Sequence, residues 1–136
     1  MTLQKTLSII KPDAVKAGNA DKINNMIEGT GLKIIKKKEL TLTMEEAQEF
    51  YKVHSDKPFY DELCNFMISG PIIVQMLEGD NAIEVYRKVM GATNPDEADD
   101  NTIRKEFATS VQENAVHGSD SEDNAIKELN FFFKEN

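Results

Sequence analysis

Asn114-Ala115-Val116-His117-Gly118-Ser119-Asp120-Ser121 decides how this chain is read. Asn114 to His117 spells a short strand. Ser119 and Glu122 stand at capping-box spacing and open a final helix to about Phe132. His117 therefore ends a strand just ahead of a helix, and Gly118 beside it permits close backbone approach. An imidazole placed there can act as a nucleophile if one ring nitrogen is neutral and free. The other nitrogen then needs an acceptor that orients the ring. Glu128 is a candidate acceptor, although a carboxylate at the edge of an apolar stripe is usually solvated. Ile126, Leu129 and Phe133 make the apolar stripe of the last helix, and Glu128 sits at its edge.

Outward from that stretch, strands and helices alternate. Thr6 to Lys11 reads as a strand, with Leu7 and Ile9 on one face and Ser8 and Ile10 on the other, and Pro12-Asp13 closes it. A helix over Asp21 to Glu28 ends at Gly29 and Gly31. Leu32 to Leu42 is the second strand. Thr43 opens a helix with Glu46 at capping-box spacing, and Ala47, Phe50, Tyr51 and His54 share its apolar stripe. Pro58 starts another helix, to about Met67. Pro71 to Leu77 is a buried strand, Asn81 to Met90 a helix, Gly91 to Asn101 an acidic loop, and Thr102 to Ala108 a short helix. Two helices between the second and third strands predict a ferredoxin-like split βαβ sandwich of the α+β class. Its sheet would be four-stranded and antiparallel, with helices packed on one face.

A chain of 136 residues suits one domain, 1–136. Its net charge of −8 argues against a general nucleic-acid or acidic-membrane surface, so an anion site must be a local basic cluster. One cysteine, Cys64, excludes an internal disulfide and fits a reducing, cytoplasmic setting. The N-terminal residues do not read as a signal peptide, and the apolar runs are too short to span a bilayer.

Lys11 shares a strand face with Leu7 and Ile9, so its ammonium must snorkel or meet an anion. Arg87 lies on the solvent side of its helix, and Arg104 follows the acidic loop. No Walker loop, dinucleotide fingerprint or His/Cys metal spacing occurs, so no protein-held metal is expected. His54, on an apolar stripe, reads as a packing residue.

The stretch Thr6 to Val15, Phe50-Tyr51, Lys57-Pro58-Phe59-Tyr60, Ser69-Gly70-Pro71, Met90 to Pro95, Thr102-Ile103-Arg104 and Asn114 to Ser121 resemble, in order, blocks of the nucleoside diphosphate kinase family. The resemblance covers nearly the whole chain. It implies ping-pong phosphoryl transfer from a nucleoside triphosphate, mainly ATP, to a nucleoside diphosphate through a phosphohistidine on His117. By the same match Lys11, Tyr51, Arg87, Thr93, Arg104 and Asn114 contact phosphates, sugar or the histidine surroundings. Phe59 stacks on the base, Val111 lies near it, and Ser119 and Glu128 support His117. Mg²⁺ is expected to arrive on the nucleotide phosphates. The resemblance also implies a homo-oligomer, tetramer or hexamer, pairing surfaces near Lys36 to Leu42 and Asp21 to Glu28, with neither nucleic acid nor membrane required.

Two positions depart from the family pattern. Ala20 follows Gly18-Asn19 at the first strand–helix turn, and Asn101 stands where a glycine usually precedes Thr-Ile-Arg. Asparagine can take the left-handed conformation that glycine prefers. The rival readings are a non-catalytic nucleotide-binding module and a phosphohistidine carrier acting on proteins. The complete phosphate set beside His117 speaks against the first, and Phe59 against the second.

Overall fold

The computed structural model describes residues 3–111 and 113–133. The first half of the chain supplies β1 (Leu3–Ile10), α1 (Pro12–Lys16), α2 (Ala20–Glu28), β2 (Lys33–Leu40), α3 (Met44–Phe50) and α4 (Tyr60–Met67). The second half supplies β3 (Ile72–Asp80), α5 (Ala82–Met90), α6 (Ile103–Phe107), β4 (Val116–Gly118) and α7 (Glu122–Phe132). All pairings are antiparallel, in the order β2-β3-β1-β4, which is the expected split βαβ arrangement.

Both faces of this sheet are covered, which corrects the expectation of helices on one face. Side chains alternate across a strand, yet β1 is buried at every position from Thr6 to Ile10. Leu7, Ile9, Val74 and Met76 pack beneath Ala47 of α3, Cys64 and Met67 of α4, and Leu129 and Phe132 of α7. Ile10, Leu77 and Val116 pack on the other side against Ile23 and Ile27 of α2, Tyr86 of α5 and Ile103 of α6. Burying each such side chain contributes about 1.5–3 kcal/mol, so β1 is anchored from two directions.

Several local expectations shift by a few residues for identifiable reasons. Pro12 does not simply close β1. It occupies the first turn of α1, where its missing N–H costs nothing. Thr43 and Glu46 complete both halves of the capping box on α3. That helix stops at Phe50, and a 3₁₀ turn over Lys52–His54 carries His54 off the apolar stripe. His54 is half-buried, its ring 5.6 Å from that of Phe59. Helix α4 starts at Tyr60 rather than Pro58 and leaves Phe59 as an exposed N-cap.

The last helix is capped by Ser121, whose hydroxyl accepts from Asn124 N, and not by Ser119. Its buried stripe is Ala125, Leu129 and Phe132, while Ile126 is exposed. The two departures are accommodated. Asn101 takes φ +66°, and Gly18 with φ +77° makes the turn ahead of Ala20, the first residue of α2. No helix among the described residues is long and apolar enough to cross a membrane.

Candidate active site

Register places the histidine. Ile9 lies opposite His117, so the imidazole stands on the sheet face that meets α3 and α7. Gly118 lets β4 press against α5, because a Cβ there would sit 2.8 Å from the Tyr86 ring. Phe50 meets the imidazole edge-on at 5.5 Å between centroids, and Tyr51 at 6.3 Å.

Nε2 of His117 lies 3.0 Å from Oε1 of Glu128. A carboxylate only accepts, so Nε2 carries the hydrogen and Nδ1 keeps its lone pair. Ser119 Oγ donates to the same Oε1 at 2.7 Å and accepts from Leu7 N at 3.4 Å. Ser119 is buried in this duty, which is why it does not cap α7. The Tyr51 phenol is buried without a hydrogen-bond partner among the described residues. Burial, followed by the Glu128 charge, keeps its proton well beyond the usual range.

A second network lies one turn of chain away. Lys11 Nζ donates to Asn114 Oδ1 at 2.8 Å, and both residues are buried. Arg104, also buried, spends its guanidinium on three carbonyls: Gly91 at 3.1 Å, Val116 at 2.9 Å and Asn114 at 3.4 Å. Burial first, and then the Arg104 charge, bring the Lys11 pKa down to about 8, against the opposing pull of Asp13. Burial also lowers that of Arg104.

Between these networks the backbone turns sharply. Ala115 has φ +73°, and Val116 N donates to Asn114 O at 2.8 Å, a γ-turn of the positive-φ kind. Such a conformation costs an alanine about 1–3 kcal/mol and persists only where its surroundings enforce it. Lys11 N donates to Ala115 O at 2.8 Å, and Asp13 Oδ2 accepts from Ala115 N at 3.1 Å.

The remaining expected residues lie outside these networks. Arg87, Thr93, Phe59 and Val111 are exposed, with Phe59 at 47% and Val111 at 55%. No hydrogen bond or ring contact among the described residues ties them to His117. Arg87 still reaches the site through its field, which helps lower the pKa of both Asp120 and Arg104, although the Asn124 hydrogen bond dominates at Asp120 and burial at Arg104. Asp13 and Phe50 join the site without a sequence signal of their own that assigns them a role. The nearest hint for Asp13 is its place two residues after Lys11.

The ensemble offers one imidazole nitrogen free to attack, a carboxylate to stabilise the charge that forms on the ring, and buried cations at hand. That donor set suits a phosphoryl group. A family model described as nucleoside diphosphate kinase matches residues 4–136. A nucleoside diphosphate kinase from Wolbachia sp. subsp. Drosophila simulans (strain wRi) is 56% identical, across 99% of this chain and 97% of its own. Among solved structures, the Aquifex aeolicus nucleoside diphosphate kinase superposes with a TM-score of 0.96 at 40% identity, covering 98% of this chain and 96% of that one. A halophilic nucleoside diphosphate kinase from Halobacterium salinarum in complex with CDP gives 0.94 at 36% identity, over 98% and 90%. With fold, histidine network and full-length likeness in agreement, the chain belongs to the nucleoside diphosphate kinase family of phosphotransferases.

Proposed function

We infer that His117 carries the phosphoryl group between a nucleoside triphosphate, mainly ATP, and a nucleoside diphosphate, which keeps the nucleotide pools balanced. The observation that supports this most is the pairing of Nε2 with Glu128, which leaves Nδ1 as the free nitrogen. Nδ1 attacks the γ-phosphorus, an N–P bond forms, and the bridging P–O bond breaks to release the diphosphate. Glu128 holds the Nε2 proton throughout and stabilises the ring as its charge rises; Ser119 fixes that carboxylate. A terminal oxygen of the second diphosphate then takes the phosphoryl group, and the imidazole returns to its starting state. Positioning and charge do most of this work, because the transition state is loose.

Lys11, Arg104 and Arg87 are the cations for the phosphates. Asn114 and Thr93 supply polar contacts, and Tyr51 brings its unpartnered hydroxyl to the site. Phe59 offers a π-face to the base and Val111 an apolar neighbour. Cations and hydroxyls fit phosphate oxygens, and no group of three or more His, Cys, Asp or Glu among the described residues is placed to hold a metal. Mg²⁺ would ride on the nucleotide and neutralise phosphate charge. We further propose a single catalytic domain over 1–136, a cytoplasmic location and a homo-oligomer, tetramer or hexamer, assembled through the exposed β2 edge and α2.

The test is incubation with ATP alone. The expected result is a phosphoryl group on His117 and free ADP with no acceptor present. The label is acid-labile and base-stable, and GDP, UDP or CDP discharges it. An acid-stable label on Ser119 or Ser121, or transfer only when donor and acceptor are bound together, overturns the proposal.

A further inference from the structure

We propose that Asp13 is a positioning residue whose one carboxylate pins the turn at Ala115 and offsets the charge of the buried Lys11. Three hydrogen bonds hold that turn. Two are backbone to backbone, from Val116 N to Asn114 O and from Lys11 N to Ala115 O. The third, from Ala115 N to Asp13 Oδ2, is the side-chain member and so the one a substitution can remove. Everything the turn carries belongs to the site. Asn114 Oδ1 receives Lys11 Nζ, and the Asn114 and Val116 carbonyls receive Arg104. His117 follows two residues after Ala115. A relaxed Ala115 would move the partners of both cations and the histidine together.

The charge has a separate task. The groups facing Lys11 are Arg104 from α6, Asp13 from α1 and the neutral Asn114 amide. Asp13 opposes both burial and Arg104, and so retains the Lys11 proton. Asp13 meets a cost of its own: burial raises its pKa, Lys11 draws it back down, and Oδ1 is buried without a partner among the described residues. A carboxylate kept in such a place for packing alone would be a poor choice. Beside the buried Lys11 ammonium its charge is useful.

The inference rests on Lys11 and His117 serving phosphoryl transfer, and two variants of the full-length chain separate its parts. Asp13→Asn keeps an oxygen for Ala115 N and loses the charge. Asp13→Ala loses both. Thermal unfolding establishes that each is folded, and the pH profile of kcat/KM for nucleotide exchange is then measured. The alkaline limb of Asp13→Asn should lie at lower pH than that of the wild type. Asp13→Ala should in addition lose about a hundredfold in kcat, the cost of a misplacement near 1 Å, with KM moving less. NMR titration of the Lys11 ammonium in nucleotide-free protein should show the same downward displacement in Asp13→Asn. A folded Asp13→Asn whose Lys11 titrates as in the wild type overturns the charge role. A folded Asp13→Ala with unchanged kcat overturns the positioning role. The Lys11 titration is independent of turnover, so a wild type that fails to label on His117 sinks the functional proposal and leaves this one to be decided by the titration.

Discussion

Lys11, Asn114 and Arg104 are buried and tied to one another or to backbone carbonyls, whereas Phe59, Val111 and Thr93 are exposed with no such ties among the described residues. The phosphoryl end of the proposed site is thus set before any nucleotide arrives, and the base end is an open shelf. The contrast follows the chemistry. Charge that develops in a transition state is stabilised best by groups that need not reorganise. A base held by stacking needs only a π-face, which every base has. Rigid chemistry with permissive recognition is what an enzyme exchanging many nucleotides requires.

The harshest way to break the comparison is at its centre. His117→Ala should abolish transfer while leaving thermal unfolding near the wild type, because His117, the middle residue of β4, is only half-buried. Near-normal turnover in that folded variant would end the whole account.

The two buried cations should then part company. Lys11→Ala and Arg104→Ala should each lose about 2–4 kcal/mol of transition-state stabilisation, the range for one preorganised donor. Arg104→Ala should also unfold more readily, by at least about 2 kcal/mol, since Gly91, Asn114 and Val116 lose a charged donor together. Lys11→Ala leaves Asn114 Oδ1 and the Asp13 carboxylate without that cation but also removes the cost of burying an ammonium, so it should lower the melting temperature less. Equal destabilisation by both would show that Arg104 is not the strut its hydrogen bonds make it.

A pH series sharpens the point. Lys11 in the folded chain titrates near 8 instead of 10.5. The kcat/KM profile should therefore fall as pH rises through about 8, when the ammonium is lost. Stability should move the opposite way. Between about 8 and 10.5 the unfolded Lys11 holds a proton that the folded one has released, so this group makes the fold more stable as pH climbs. Tyr51 and Tyr86 act in reverse above pH 10, because burial raises both phenols and the unfolded chain ionises first. Activity that falls only together with unfolding would contradict the assignment.

The smallest effect belongs to the open shelf. Phe59→Ala should weaken KM by about 1 kcal/mol for purine and pyrimidine nucleotides alike, the low end for one stacked base, with kcat intact. A strong preference for one base in the wild type would mean that polar recognition has been overlooked there.

What could be read from the sequence was mostly what neighbours in the chain decide. The Thr43–Glu46 box, the αL conformation of Asn101 and the strand–helix alternation all rest on local preference, and each appears in the structure. Glu128 came through the family resemblance, since a carboxylate at the edge of an apolar stripe reads by itself as solvated. Distant decisions were harder. Ser119 and Ser121 both sit three residues ahead of a polar partner, and what separates them is Glu128, which takes the Ser119 hydroxyl. The Ala115 turn is held in part by a hydrogen bond to Asp13, 102 positions away, and nothing in the local composition calls for a left-handed alanine. The second covered face was partly visible in Leu7, Ser8, Ile9 and Ile10, where no alternation of apolar and polar residues leaves one side for water.

Strand β4 and helix α7 give the protein a particular order of birth. A chain emerging from the ribosome only as far as Ala115 can already pair β1 with β3 and β2 with β3, yet it lacks His117 and Glu128. Until Val116–Gly118 docks, one side of β1 is an open strand edge, a template on which other chains can pair. The segment that covers that edge at Ser8 to Ile10 also delivers His117, and α7 follows with Glu128. Cover for part of that edge and the His117–Glu128 pair thus arrive in the same stretch of chain, so a product cut short at Ala115 would be sticky and inert at once.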